Sequence, residues 1–89
     1  DWLLIDVRSP QEFADGHIPG AVNMPHENIN DYLSELEGHK NKPIIIYCRS
    51  GRRAKLAMKV LEELDFSEVM HLEGDMLGWS AAGMTVDRM

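Results

Sequence analysis

The chain has 89 residues, 44% of them hydrophobic and 27% charged, with a formal net charge of −6. That is the size and balance of one globular domain with a single core, which excludes a disordered segment. No apolar run approaches the ~18 residues a membrane helix needs, and the acidic excess argues against nucleic acid or an anionic membrane as partner, so a soluble chain is expected.

Trp2 to Val7 is apolar with little alternation, the pattern of a strand covered on both faces in a parallel sheet, with Asp6 and Arg8 at its carboxyl end. Ser9-Pro10-Gln11-Glu12 has a cap serine, proline at the first helical position and glutamate three residues after the cap, which predicts a short helix stopped by Gly16. His17-Ile18-Pro19-Gly20 reads as a loop, and Ala21 to Met24 as a short strand ended by Pro25. Ile29, Tyr32, Leu33 and Leu36 fall at helical spacing, predicting an amphipathic helix over 29–37 with Asn28 or Asn30 as cap and 38–42 as its exit loop.

Pro43 to Tyr47 is an apolar, β-branched run, a buried strand that leads directly into Cys48. From about Arg53 to Leu64 the pattern turns helical, with Ala54, Ala57, Met58, Leu61 and Leu64 on one face and Lys55, Lys59, Glu62 and Glu63 on the other. Glu68 to Leu72 reads as a further strand, Gly74 as a turn, and Met76 to Ala82 as a short helix stopped by Gly83. Strands and helices alternate with short connections, so the expected fold is α/β, a mostly parallel sheet flanked by helices, in one domain over 1–89. Ligands of such sheets bind beyond the carboxyl ends of the strands. Asp6, Arg8, Cys48 and the turn after Leu72 all fall there.

Cys48 is the only cysteine, so it can close no internal disulfide and build no zinc site from several thiolates. Its surroundings are cationic in an acidic chain. Residues 9–39 hold six acidic side chains and no Lys or Arg, whereas Arg49, Arg52, Arg53, Lys55 and Lys59 place five of the nine cations within eleven residues of Cys48. A helix N-terminus leaves backbone N–H groups unpaired and carries partial positive charge, and with adjacent arginines it favours thiolate over thiol. Ser50 and Gly51 are small, so the N–H groups of Arg49 to Arg53 can converge as a cradle for an oxyanion or for a persulfide on Cys48. A lone cysteine closing an apolar strand is more often an inert core residue, and the arginine-rich helix start is what points to a nucleophile.

Three segments, residues 6–13 (Asp-Val-Arg-Ser-Pro-Gln-Glu-Phe), 16–25 (Gly-His-Ile-Pro-Gly-Ala-Val-Asn-Met-Pro) and 47–54 (Tyr-Cys-Arg-Ser-Gly-Arg-Arg-Ala), resemble the signatures of single-domain rhodaneses, with Glu73-Gly74 and Trp79 as a weaker fourth. The resemblance implies a rhodanese fold and a sulfurtransferase that moves sulfane sulfur from thiosulfate, or a persulfide donor, to cyanide or a thiol acceptor through a Cys48 persulfide. It implies Cys48 as carrier and Arg49, Ser50, Gly51, Arg52 and Arg53 as the substrate-binding loop: Arg49 and Arg52 attract the sulfonate, and Arg53 helps hold the loop. Asp6, Arg8, Glu12 and His17 match positions that brace the scaffold. No metal or organic cofactor is implied, and a protein sulfur acceptor is compatible. Related dual-specificity phosphatases place five residues between Cys and Arg, whereas Arg49 to Arg52 are four, a ring that suits one sulfur atom better than phosphate; phosphatase or arsenate reductase chemistry therefore ranks below sulfur transfer.

The chain departs from the family pattern at Asp75, where the second glycine of a Gly-Gly turn is usual, and at Ala54, where many relatives carry Ser or Thr. The start at Asp1 without a Met fits a processed or trimmed N-terminus and resembles the mature periplasmic phage-shock rhodaneses, which implies a periplasmic location; a trimmed cytoplasmic domain is the alternative. A binding or protein sulfur-relay module is the competing functional class. His17 and His71 are expected in structural roles, Met58 and Met70 in the core, and Trp79 as a core anchor or pocket wall.

Overall fold

A computed structural model describes residues 2–89. Four strands form one sheet, β1 (Leu3–Asp6), β2 (Val22–Asn23), β3 (Ile44–Tyr47) and β4 (Val69–His71), in the order β2-β1-β3-β4. All neighbouring pairs are parallel. The register sets Leu3 beside Ile44 and Asp6 beside Tyr47, so β1 and β3 end level with each other. The helices are α1 (Pro10–Asp15), α2 (Leu33–Leu36), α3 (Arg52–Glu63) and α4 (Asp75–Ala81).

The chain steps from β1 outward to β2, then crosses back over β1 to β3. Right-handed parallel crossovers put those two connections on opposite faces of the sheet. One face accordingly buries Ile5, Ile44 and Ile46 against Ile29, Leu36, Ala54, Ala57 and Leu61, the inward residues of α3 and of the helical segment before β3. The other face buries Leu4 and Tyr47 with Ile18 and Met76, and Trp79 and Val86 pack at its margin. The reversal of direction falls between β1 and β3, the place where open α/β sheets bind ligands. Asp6 ends β1, and Cys48 directly follows the last residue of β3.

Local chemistry fixes most element ends. Ser9 caps α1 with both halves of a capping box, its Oγ accepting from the Glu12 N–H while Glu12 accepts from the Ser9 N–H. In α3 the residues Ala54, Ala57 and Leu61 are buried and Met58 packs beside them. Leu64 lies beyond the helix and is exposed, because Asp65 takes a φ of 68° and turns the chain away.

Two further expectations are corrected. The single helix over 29–37 is broken into a 3-10 segment (His26–Tyr32), the one-turn α2 and a second 3-10 turn (Glu37–His39), with a kink at Asn28 (φ −116°, ψ 16°). Neither asparagine caps it. His26-Glu27-Asn28-Ile29-Asn30-Asp31 is rich in residues that compete for their own backbone, and burial of Ile29 and Leu36 holds the segment down without a regular ladder. Met70 is 44% exposed: its register beside Ile45 puts it on an edge strand, on the more thinly covered face. Trp79, expected as a core anchor or a pocket wall, packs half-buried against the smaller core and also lines an apolar groove of about 210 Å³ with Trp2, Leu4, Ile18, Pro19, Ile45 and Leu72. No residue of the cysteine loop lines that groove. No helix among the described residues is long and apolar enough to cross a membrane.

Candidate active site

The strand β3 delivers Cys48 to the carboxyl edge of the sheet, and α3 begins four residues later, at Arg52. The connection must turn at once. Gly51 makes the turn with φ +118° and ψ −21°, a conformation that L side chains rarely adopt. The turn carries the Gly51 N–H over the thiol, and it donates to Cys48 Sγ at 2.9 Å. Cys48 is 1% exposed, so the sulfur sits at the bottom of the loop rather than on its surface.

The N–H groups of Arg49, Ser50, Arg52 and Arg53 find no acceptor among the described residues. The loop thus carries four N–H groups without an acceptor and a fifth, that of Gly51, already on sulfur. Arg49, Ser50 and Arg52 are exposed, and neither Arg49 nor Arg52 forms an ion pair among the described residues. Both guanidinium groups remain available to an anion.

Arg53 is placed differently. Its guanidinium grips Glu12 of α1 through two bonds, 2.6 Å from Nη1 to Oε1 and 3.0 Å from Nη2 to Oε2. The bidentate bond to Arg53, with the Ser9 backbone and hydroxyl behind it, brings the Glu12 carboxyl down to about 2. Glu12 in turn raises Arg53, and Cys48 adds to that rise. The side chain thus ties the start of α3 to the start of α1, and the loop keeps its N–H.

A second brace closes β1. Asp6 accepts from the Arg8 backbone and Nε at 2.9 and 3.0 Å and from Nη2 at 2.7 Å, while Nη2 also reaches the Gly16 carbonyl at 2.7 Å. Burial alone would lower the Arg8 guanidinium, but the Asp6 carboxylate outweighs it and the net direction is up. Burial likewise pushes the Tyr47 hydroxyl up, with Asp6 adding to the effect, so it stays protonated while accepting the Ile18 N–H at 3.1 Å. His17 stacks on Phe13 at 3.7 Å and touches the Phe13 carbonyl through Nδ1, a structural placement.

Sequence reasoning misses one pair. The Asp75 carboxylate lies behind the loop, where Oδ1 accepts from the Cys48 N–H at 2.9 Å and both oxygens lie 2.9 Å from His71 Nε2. Asp75 holds a φ of 53°, a backbone geometry that a glycine would adopt freely. The available signal is the acid itself, set in a glycine's place one turn after a strand that ends in histidine. Among the described residues no group of three or more His, Cys, Asp or Glu side chains stands together to hold a metal.

The model of the "Rhodanese-like domain" family matches residues 1–82. A protein named "Sulfurtransferase" from Allochromatium vinosum is 36% identical over 97% of this chain and 78% of its own length. "Thiosulfate sulfurtransferase GlpE" of Pseudoalteromonas translucida is 34% identical over 92% of this chain and 76% of its own. A solved thiosulfate sulfurtransferase from Pseudomonas aeruginosa superposes with a TM-score of 0.89 at 30% identity, covering 98% of this chain and 17% of that one. Other curated relatives are longer, and the chain spans 45% and 37% of two of them. With that match over nearly its whole length, and with a parallel α/β sheet that ends in a cysteine loop, the chain belongs to the rhodanese-like family, whose members here include named sulfurtransferases.

Proposed function

We propose that this protein is a sulfurtransferase that carries one sulfane sulfur on Cys48, taking it from thiosulfate or a persulfide donor and giving it to cyanide or a thiol, including a protein thiol. The Cys48 thiolate attacks the outer sulfur of thiosulfate, a new S–S bond forms, and the old one breaks with its electron pair leaving on sulfite. The terminal sulfur of the resulting persulfide carries the negative charge. Cyanide or a thiolate then attacks that sulfur, the Cys–S bond to it breaks, and the Cys48 thiolate returns.

The observation that carries the reading is the 2.9 Å contact from the Gly51 N–H to Sγ in a loop whose other amides are unpaired. Donors in fixed positions stabilise the charge on a terminal sulfur without reorganisation. Arg49 and Arg52 at the exposed rim supply the attraction for the doubly charged donor, and the burial of Sγ limits attack to a small donor or a slender, protruding one. The four residues between Cys48 and Arg53 make a ring better sized for one sulfur than for phosphate. Mass spectrometry after incubation with thiosulfate tests this: a species heavier by one sulfur should form, vanish on adding cyanide and be absent from Cys48→Ser. A folded protein that forms no adduct with thiosulfate or with a persulfide donor would refute it.

A further inference from the structure

Two side chains behind the loop take no part in sulfur transfer as written. Asp75 is 1% exposed, yet among the described residues no guanidinium pairs with it, since Arg8 is held by Asp6 and Arg53 by Glu12. Its contacts run to the reacting residue instead. The Cys48 N–H lies one residue past β3, and in place of a backbone carbonyl it finds Asp75 Oδ1 at 2.9 Å. The next residue, Met76, donates its N–H to the Cys48 carbonyl at 3.0 Å, so residues 75 and 76 hold both polar groups of the Cys48 backbone. A methyl built on Gly51 would stand 3.1 Å from Asp75 Oδ2 and 3.6 Å from the His71 ring. The carboxylate is therefore the floor beneath the residue whose amide holds the sulfur.

A buried carboxylate packed behind a loop that carries a thiolate sets two like charges close together, which opposes the second charge unless the first is offset. His71 is placed to offset it. Its Nε2 lies 2.9 Å from both carboxylate oxygens, and its side chain is 26% exposed, so the ring is accessible to water. We propose that Asp75 and His71 are a positioning pair for Cys48: the carboxylate fixes the cysteine's backbone and the floor of the cradle, and the imidazole counters the carboxylate so that a negatively charged sulfur can be held above it. The purpose of the pair rests on the sulfur-transfer reading.

Cys48 is the only thiol, so the ultraviolet absorbance of its thiolate, taken as a difference from Cys48→Ser, reads it directly and needs no sulfur donor. At neutral pH His71→Ala should lose at least about two-thirds of that absorbance, because the carboxylate is then unanswered. Adding Asp75→Asn keeps an oxygen for the Cys48 N–H and removes the charge, so the double variant should recover most of the loss. Asp75→Asn alone should equal or exceed the parent. A merely structural brace predicts the reverse order, with the double variant lowest. Should alanine unfold the domain, His71→Gln keeps a neutral N–H donor and should show the same fall in smaller measure. An undiminished signal in the folded His71 variant, a fall in Asp75→Asn, or a folded double variant that stays low would overturn the proposal. Failure of the parent to form a persulfide would refute sulfur transfer and leave these absorbance outcomes unchanged, so the two failures are distinguishable.

Discussion

Gly51→Ala separates two costs that the loop combines. At φ +118° the backbone is strained for any residue with a Cβ, a cost of about 1–3 kcal/mol, and the new methyl would also meet Asp75 Oδ2 at 3.1 Å. That oxygen cannot give way cheaply, because the carboxylate is buried and bonded to the Cys48 N–H and His71. Overpacking of this kind adds roughly 1–3 kcal/mol. Gly20→Ala is the control: φ there is +89° and nothing lies within 4 Å of the added methyl, so it carries the backbone cost alone. Urea unfolding should show Gly20→Ala destabilised by about 1–2 kcal/mol and Gly51→Ala by about 3–4 kcal/mol, which at a urea slope of about 1–2 kcal/mol per M separates the midpoints by roughly 0.5–3 M. Because the displaced amide is the one on Sγ, persulfide formation should also slow at least about tenfold in Gly51→Ala and stay unchanged in Gly20→Ala. Equal destabilisation of the two variants, with an unchanged rate in both, would refute the packing of Gly51 against the carboxylate.

The Glu12 carboxyl is held at about 2 against an ordinary 4.5, so its folded value is the lower one. Its contribution is then complete above about pH 4.5 and lost as the pH falls toward 2; about 1–2 kcal/mol of acid-labile stability is expected after allowing for solvent at a half-buried pair, and Glu12→Gln should flatten that part of a pH series of urea midpoints. Arg52→Glu should raise the thiosulfate KM about tenfold or more with stability unchanged, since the exposed side chain has no partner among the described residues; an unchanged KM in steady-state assays would show that it faces away. Leu61→Ala, at a fully buried position in the larger core, should cost about 2–5 kcal/mol in urea unfolding and leave the loop chemistry intact.

What the sequence makes legible follows from how local each signal is. The Ser9 to Glu12 capping box, the stripe of Ala54, Ala57 and Leu61, and the strand that carries Cys48 are written in neighbouring residues, and each stands where expected. The breaks in the helix over 26–39 escape a sequence reading because helical spacing of Ile29, Tyr32, Leu33 and Leu36 records which side faces the core and says nothing of backbone regularity. Met70 reads as core because strand periodicity cannot tell a central strand from an edge one; only the order β2-β1-β3-β4 does. The Asp75–His71 pair depends on both: a strand end and a helix start brought behind Cys48, 27 positions away in the chain from the carboxylate.

The placement of Arg53 bears on how the loop balances its charges. Of the three arginines that crowd Cys48 in the chain, only Arg53 is neutralised by a near partner among the described residues, and that partner belongs to α1. The bidentate geometry to Glu12 anchors the first turn of α3, which fixes the direction in which the unpaired loop amides point. Arg49 and Arg52 keep their charge for the solvent side, and the charge beneath the sulfur is a carboxylate faced by a histidine. The cradle is thus attractive from above and balanced from below. On the sulfur-transfer proposal, the rim arginines would draw in a small anion and the backbone N–H groups would hold the single sulfur, with positions that depend on Gly51, on the clamp from residues 75 and 76, and on the Glu12 anchor. Loss of a rim arginine should therefore appear chiefly in KM, and loss of any of the three backbone supports chiefly in the rate at which Cys48 accepts sulfur.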